Sequence, residues 1–126
     1  MVEKEYINGK APFSDAVKVG NMIMVSGQVP KDPIKGGWAE DMDGQTTQCL
    51  ENIKRILEQA GGKISDIIRV TVFISDVNKF GTMNHAYIKF FKKNGVEKNF
   101  PARTTVEVGK GKYREWKIEI DCVAMI

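Results

Sequence analysis

The sequence predicts an α+β domain: one mixed β-sheet with two helices packed on a single face. Three observations carry this expectation. β-Branched runs recur along the chain, two segments between them place an apolar residue at every third or fourth position, and neither a repeat nor a Pro/Gly/Ser-rich linker divides them. A chain of 126 residues has room for one core, so positions 1–126 are read as a single domain.

The elements follow in order. Ala16 and Lys18 interleave with Val17 and Val19, Gly20-Asn21 marks a turn, and Met22-Ile23-Met24-Val25-Ser26 runs back, which is the pattern of a β-hairpin. Pro30, Pro33, Gly36 and Gly37 make residues 28–37 a loop. Over residues 43–60, Cys49, Leu50, Ile53, Ile56, Leu57 and Ala60 form one stripe opposite Gln48, Glu51, Lys54, Arg55 and Glu58, and Gly61-Gly62 closes the helix. Residues 67–74 are a β-branched run, read as a strand buried on both faces. A second helix over residues 79–94 aligns Phe80, Met83, Ala86, Tyr87, Phe90 and Phe91 and stops at Asn94-Gly95. Strands at 103–108 and 116–125 complete the order, with Gly109-Lys110-Gly111-Lys112 read as the hairpin loop between them.

Two helices cover one face of such a sheet and leave the other open. In the last strand Trp116, Ile118, Ile120, Cys122 and Ala124 share one face, and Val123 and Met125 share the other with Lys117, Glu119 and Asp121. A partly apolar face with no cover in its own chain calls for another subunit, so a homo-oligomer is expected.

Composition excludes several classes. Hydrophobic residues at 42% and charged residues at 28% are ordinary globular values. No apolar run approaches the roughly 20 residues of a membrane span. A net charge of +3 with interspersed signs does not imply a nucleic-acid partner. The first ten residues carry Glu3 and Glu5 and no apolar core of a signal peptide, and Cys49 and Cys122 form no Cys-x-x-Cys pair, so a reducing cytoplasm is the expected setting.

Two charges fall inside strands expected to be buried. Arg103 follows Phe100-Pro101-Ala102, and Glu119 interrupts the apolar alternation of the last strand. A charge inside a sheet costs several kcal/mol unless paired or used, so the choice lies between an inter-strand ion pair and a site. Arginine offers a planar fork for a carboxylate, and glutamate can accept a proton or orient water. His85 has no partner at metal-ligand spacing and reads as a surface or interface residue; Cys49 and Cys122 lie on apolar stripes and read as packing. Ser26-Gly27-Gln28 lacks the Gly-x-Ser-x-Gly pattern of a nucleophile turn. The 109–112 loop is too short for a P-loop, and with Tyr113, Arg114 and Trp116 it reads as a solvated tip before an RNA contact.

Taken together, Ala11-Pro12-Phe13-Ser14-Asp15-Ala16-Val17, Val25-Ser26-Gly27-Gln28-Val29-Pro30, Asn52-Ile53-Lys54 with Ala60-Gly61-Gly62, Val70-Thr71-Val72-Phe73, Phe100-Pro101-Ala102-Arg103 with Val106-Glu107-Val108, and Ile118-Glu119-Ile120 resemble the RidA/YjgF family over nearly the whole chain. The Pro-Ala-Arg segment with the later Ile-Glu-Ile is the specific part. The resemblance implies a chorismate-mutase-like fold, a homotrimer with a ligand cleft at each subunit interface, and cofactor- and metal-free hydrolysis of enamines and imines such as 2-aminoacrylate to 2-keto acids and ammonia. It also implies roles: Arg103 holds the substrate carboxylate, Glu119 positions the attacking water, Asn84 helps close the cleft, and Ser26 and Gly27 line it. Thr105 and Phe13 stand where the family commonly has cysteine and tyrosine, which leaves the substrate side chain open. Relatives described as endoribonucleases or translation inhibitors supply one alternative, and keto-acid binding without turnover, or a chaperone-like role, supplies another.

Overall fold

The computed structural model describes residues 2–109 and 115–126. Its strands are β1 (Lys4–Ile7), β2 (Ala16–Val19), β3 (Met22–Gln28), β4 (Ile67–Ile74), β5 (Ala102–Glu107) and β6 (Ile118–Met125), and its helices are α1 (Met42–Gln59) and α2 (Phe80–Lys93). The strands form one sheet in the order β1-β2-β3-β6-β4-β5, antiparallel throughout except for the parallel pair β4–β5. The α+β class and the two-helix arrangement are therefore as the sequence predicts. Among the described residues no helix is long and apolar enough to cross a membrane.

The β2–β3 hairpin turns at Gly20-Asn21, where Gly20 takes φ +60° at the first central position of a two-residue turn. α1 starts at Asp41, whose Oδ1 accepts the Gly44 N–H at 2.8 Å, and ends in a glycine cap, with Gly61 at φ +89° and the Gly62 N–H bonded to the Leu57 carbonyl. Its apolar stripe and that of α2 close on one face of the sheet. Leu50, Ile53, Ile56 and Leu57 from α1 and Met83 and Phe91 from α2 meet Ile23, Val70, Val72, Ile74 and Ile120 of the sheet, all with no exposure. Burial at this depth stabilises by roughly 1.5–3 kcal/mol for each large aliphatic side chain.

One expectation is completed and three are corrected. The sequence leaves two or three strands open ahead of the first helix and does not locate the third, which is the edge strand Lys4–Ile7, because only Ile7 of its four residues is buried. The strand 67–74 is buried on one face only: Ile67, Val70, Val72 and Ile74 are buried while Ile68 is 46% exposed. The register places Ile67 opposite Ala124 and Arg69 opposite Val123, so a bulge at Ile68 turns that side chain outward. β5 and β6 are not a hairpin, since β4 lies between them, parallel to one and antiparallel to the other. Trp116 precedes β6 and lies outside the sheet. The proposed loop contact at Lys110–Arg114 falls outside the described residues.

The face without helices is open in the single chain. Register aligns Glu119 with Phe73 and Val106, Asp121 with Thr71 and Thr104, and Val123 with Arg69 and Ala102 in rows across β6, β4 and β5. Met24, Val106 and Met125 are exposed large apolar residues there.

Candidate active site

Glu119 belongs to this open face, as the alternation of the last strand predicts, and is exposed there in the single chain, which corrects the expectation of a buried charge. Its surroundings are set by an irregularity in β3. Val25 pairs with Cys122 and Gln28 with Ile120, so three steps along β3 match two along β6, and the extra residue lies at Ser26-Gly27. This bulge brings the Gly27 backbone against the Glu119 side chain: a Cβ on Gly27 would overlap the carboxylate. Ser26 is spent on structure, its Oγ donating to the Ser14 carbonyl at 2.6 Å and its N–H to the Asp15 carbonyl. These two bonds fix the 13–15 segment, and Phe13, 62% exposed, stands at the mouth of a groove lined by Ser26, Gly27, Gln28, Val29, Trp116 and Glu119. A largely apolar cavity of about 230 Å³ continues past Glu119 between Val29, Phe73, Val108, Trp116 and Ile118.

Two buried amides of α1 hold the walls. Gln45 donates to the carbonyls of Ala39 and Glu115, both at 2.8 Å, and accepts the Lys117 N–H at 2.7 Å, so it grips the peptide on each side of Trp116. Trp38 meets Trp116 edge to face with centroids 5.6 Å apart. Asn52 donates to the carbonyls of Val29 and Lys31, both at 3.0 Å, while its Oδ1 accepts from Gln48 and Arg55. Gln45 carries no mark in the sequence beyond being a polar residue on the buried side of a helix, next to Thr46 and Cys49.

Arg103 faces the opposite side of the sheet. It pairs in register with Val70, a core residue, and its guanidinium carbon stands 4.8 Å from the Tyr87 ring centroid and 5.6 Å from that of Phe80, with Nη1 4.0 Å from Met83 Sδ. These three belong to one stripe of α2. Asn84 is half-buried on the same helix, four residues after Phe80 and three before Tyr87. Thr105 lies two residues beyond Arg103 on the same face, and its Oγ1 is buried without a hydrogen-bond partner among the described residues. Glu107, the acid next along that face, accepts the Val77 N–H at 2.8 Å. Among the described residues Arg103 makes no ion pair.

The predicted residues thus form two half-sites in one chain. Phe13, Ser26, Gly27 and Glu119 gather on one side of the sheet, and Arg103, Thr105 and Asn84 gather on the other at the β5 edge. One chain does not bring Arg103 and Glu119 together. Electrostatics distinguish the halves: desolvation, with the Asp121 charge adding to it, raises the Glu119 carboxyl above the usual carboxylate value, whereas burial pushes the Tyr87 phenol up to about 12 despite the opposing pull of the Arg103 charge. Cys49 and Cys122 are buried packing residues whose thiols burial raises, as the sequence predicts, and His85 is exposed on α2. No group of three or more His, Cys, Asp and Glu suited to a metal ion occurs among the described residues. Such a pair of half-sites can bind a small carboxylate at the guanidinium and present a proton acceptor to a water.

Comparison with known proteins shows the family of the chain. The family model described as Endoribonuclease L-PSP matches residues 4–126. A 2-iminobutanoate/2-iminopropanoate deaminase of Salmonella typhimurium is 44% identical over 114 residues, covering 90% of this chain and 87% of that protein. The solved structure of the YjgF gene product from E. coli superposes with a TM-score of 0.86 at 40% identity, covering 95% of this chain and 92% of the other. E. coli TdcF with bound serine superposes with a TM-score of 0.86 at 35% identity, covering 100% and 98%.

Proposed function

The chain belongs to the RidA/YjgF family, and from that membership we propose that it is a cytoplasmic 2-iminobutanoate/2-iminopropanoate deaminase, a hydrolase that works as a homotrimer on small 2-imino acids. The observation that carries the reading is Arg103: a half-buried guanidinium held by two aromatic rings and a thioether, with no carboxylate partner among the described residues. Apolar neighbours orient a charge without neutralising it, so the anion that satisfies it comes from a ligand.

A protonated 2-imino acid supplies that anion. Its carboxylate takes the fork of Arg103, and a neighbouring subunit presents Glu119 across the interface. Water attacks C2 of the iminium and yields its proton to the Glu119 carboxylate. The same proton then passes to the amine nitrogen of the tetrahedral adduct; Glu119 takes the adduct's hydroxyl proton as the carbonyl forms and the C–N bond breaks, and the 2-keto acid leaves with ammonia, which takes up that proton as ammonium. A carboxyl group whose proton affinity is raised by desolvation is suited to accept that proton and return it. The demand on the protein is modest, because free imines hydrolyse in water; positioning the water and holding the anion supply the acceleration. Thr105, whose buried hydroxyl has no partner among the described residues, and Asn84 line the Arg103 half, while Phe13, Ser26 and Gly27 shape the Glu119 half.

Adding the protein to a serine/threonine dehydratase reaction tests this. Pyruvate or 2-ketobutyrate release is expected to accelerate, and Arg103→Ala to remove the acceleration by about 100-fold or more, since two charge-assisted hydrogen bonds of roughly 1.5–3 kcal/mol each are lost. Arg103→Lys is expected to be nearly as severe, because an ammonium does not reproduce the fork. Equal acceleration by wild type and Arg103→Ala would overturn the mechanism. A second reading, RNA cleavage, is favoured by the description of the family model. It requires cleavage of RNA by metal-free, contaminant-controlled protein; intact RNA removes it.

A further inference from the structure

The geometry points to Tyr87 as a positioning residue for the Arg103 guanidinium, an inference that rests on the deaminase reading for its substrate. Three side chains touch that guanidinium, and they differ in how well they are held. Phe80 lies at the start of α2, is 37% exposed, and stands 5.6 Å from the guanidinium carbon. Met83 offers a flexible thioether at 4.0 Å. Tyr87 is the nearest ring at 4.8 Å and is 3% exposed, and it is itself clamped against Phe91 with centroids 4.6 Å apart. Met83 is fully buried but presents no planar face, and of the two rings Tyr87 is the nearer and the more buried.

A ring face attracts a cation without occupying its N–H donors, so it fixes the plane of the fork and leaves the donors for a ligand. A carboxylate partner would fix the plane equally well and would also fill the site. The choice of an aromatic over an acid as the holding group is therefore what keeps Arg103 available. Chain geometry supports the assignment: β5 is the edge strand of the sheet, with β4 on one side only, so α2 supplies the restraint that a second neighbouring strand would otherwise give. Position 87 falls about two helical turns after Phe80, which places both rings on the same stripe beside the arginine.

The test compares Tyr87→Leu and Tyr87→Phe with wild type, reading imine hydrolysis and the binding of 2-ketobutyrate and of its carboxamide by calorimetry. Tyr87→Leu is expected to weaken 2-ketobutyrate about tenfold and to raise KM by a similar factor with kcat little changed, because the ring steadies the anion site and not the attacking water. Tyr87→Phe, which keeps the ring face, is expected to recover most of that loss. Carboxamide binding is expected to be insensitive to the leucine substitution, since it lacks the charge. Unchanged KM in Tyr87→Leu, equal loss of acid and amide binding, or a phenylalanine variant no better than leucine would overturn the assignment. Where the leucine variant does not fold, Tyr87→Met is read in its place. Arg103-dependent keto-acid binding by a wild type that does not accelerate imine hydrolysis sinks the deaminase reading and leaves the Tyr87 assignment to be decided by the binding data; accelerated hydrolysis with Tyr87→Leu unaffected does the reverse.

Discussion

A methyl group on Gly27 would overlap the Glu119 carboxylate, and its carbon would stand 2.9 Å from Glu119 Cδ, so the glycine makes room for the acid and lets it pack against bare backbone. That contact contributes to the desolvation that raises the carboxyl, and the sign of the shift has two consequences. A folded-state value above the unfolded one, near 4.3, means that ionised Glu119 opposes folding; the cost is present in full above the folded value and is relieved as pH falls through it. Glu119→Gln is therefore expected to unfold at a higher temperature than wild type at pH 7, with the gap closing as pH falls through the raised value and gone below about pH 4. The same variant is expected to lose about 100-fold in imine hydrolysis, while the wild-type rate falls as pH drops through the raised value and the acceptor fills with a proton. Thermal melts and rates over a pH series check both. A glutamine variant less stable than wild type at neutral pH would show that the carboxylate has found a compensating partner. Arg103 and Glu119 were conspicuous in sequence as charges amid apolar alternation. The side of the sheet that Glu119 takes was also legible in the alternation of β6, but that of Arg103 was not, because β5 is polar at most positions and gives no phase.

At the scale of elements, the strands carry Arg103 and Glu119 and α1 holds the walls beside Glu119. Gln45 grips the peptides on both sides of Trp116, and Asn52 grips the 29–31 segment, so two side chains of one helix shape the walls of the groove beside Glu119. Gln45→Leu is expected to destabilise the protein by about 2–4 kcal/mol, since the Lys117 N–H and two carbonyls lose a buried partner, and to weaken ligand binding through a displaced Trp116. Denaturant unfolding and tryptophan fluorescence measure the two effects. A variant as stable as wild type would mean that water takes over all three bonds. Periodicity located both helices within a residue or two, because their stripes are long and strongly apolar. It did not locate β1, which buries one residue in four, and it misread the β5–β6 connection as a hairpin, because insertion of β4 between them is a pairing between residues more than thirty positions apart.

For the whole molecule, the decisive fact is that Arg103 and Glu119 face opposite sides of one sheet. If both serve one substrate, they come from different subunits, and the apolar open face bearing Met24, Val106 and Met125 is where a neighbour would lie. Arg103→Ala and Glu119→Gln proteins, each inactive alone, are then expected to regain activity when co-refolded. Random mixing at equal amounts gives about one quarter of the interfaces an intact arginine from one chain and an intact glutamate from the next. Recovery near that level, with a mass of three chains by light scattering, supports the shared site; none in a mixed trimer shows that the two residues do not cooperate across a boundary.

The sequence by itself determined the α+β class, both helices, the packing roles of the cysteines, the family and the two charged residues at issue. All of these rest on local period, composition or short motifs, which neighbouring residues carry in full. Only the tertiary structure decided that β4 separates β5 from β6, that a bulge at Ser26-Gly27 places backbone against Glu119, that Gln45 secures Trp116, and that Arg103 rests on aromatic rings on the far side of the sheet from Glu119. Register and strand order join distant segments through backbone hydrogen bonds that any residue but proline can make, so side-chain identity leaves them unspecified until the whole chain packs.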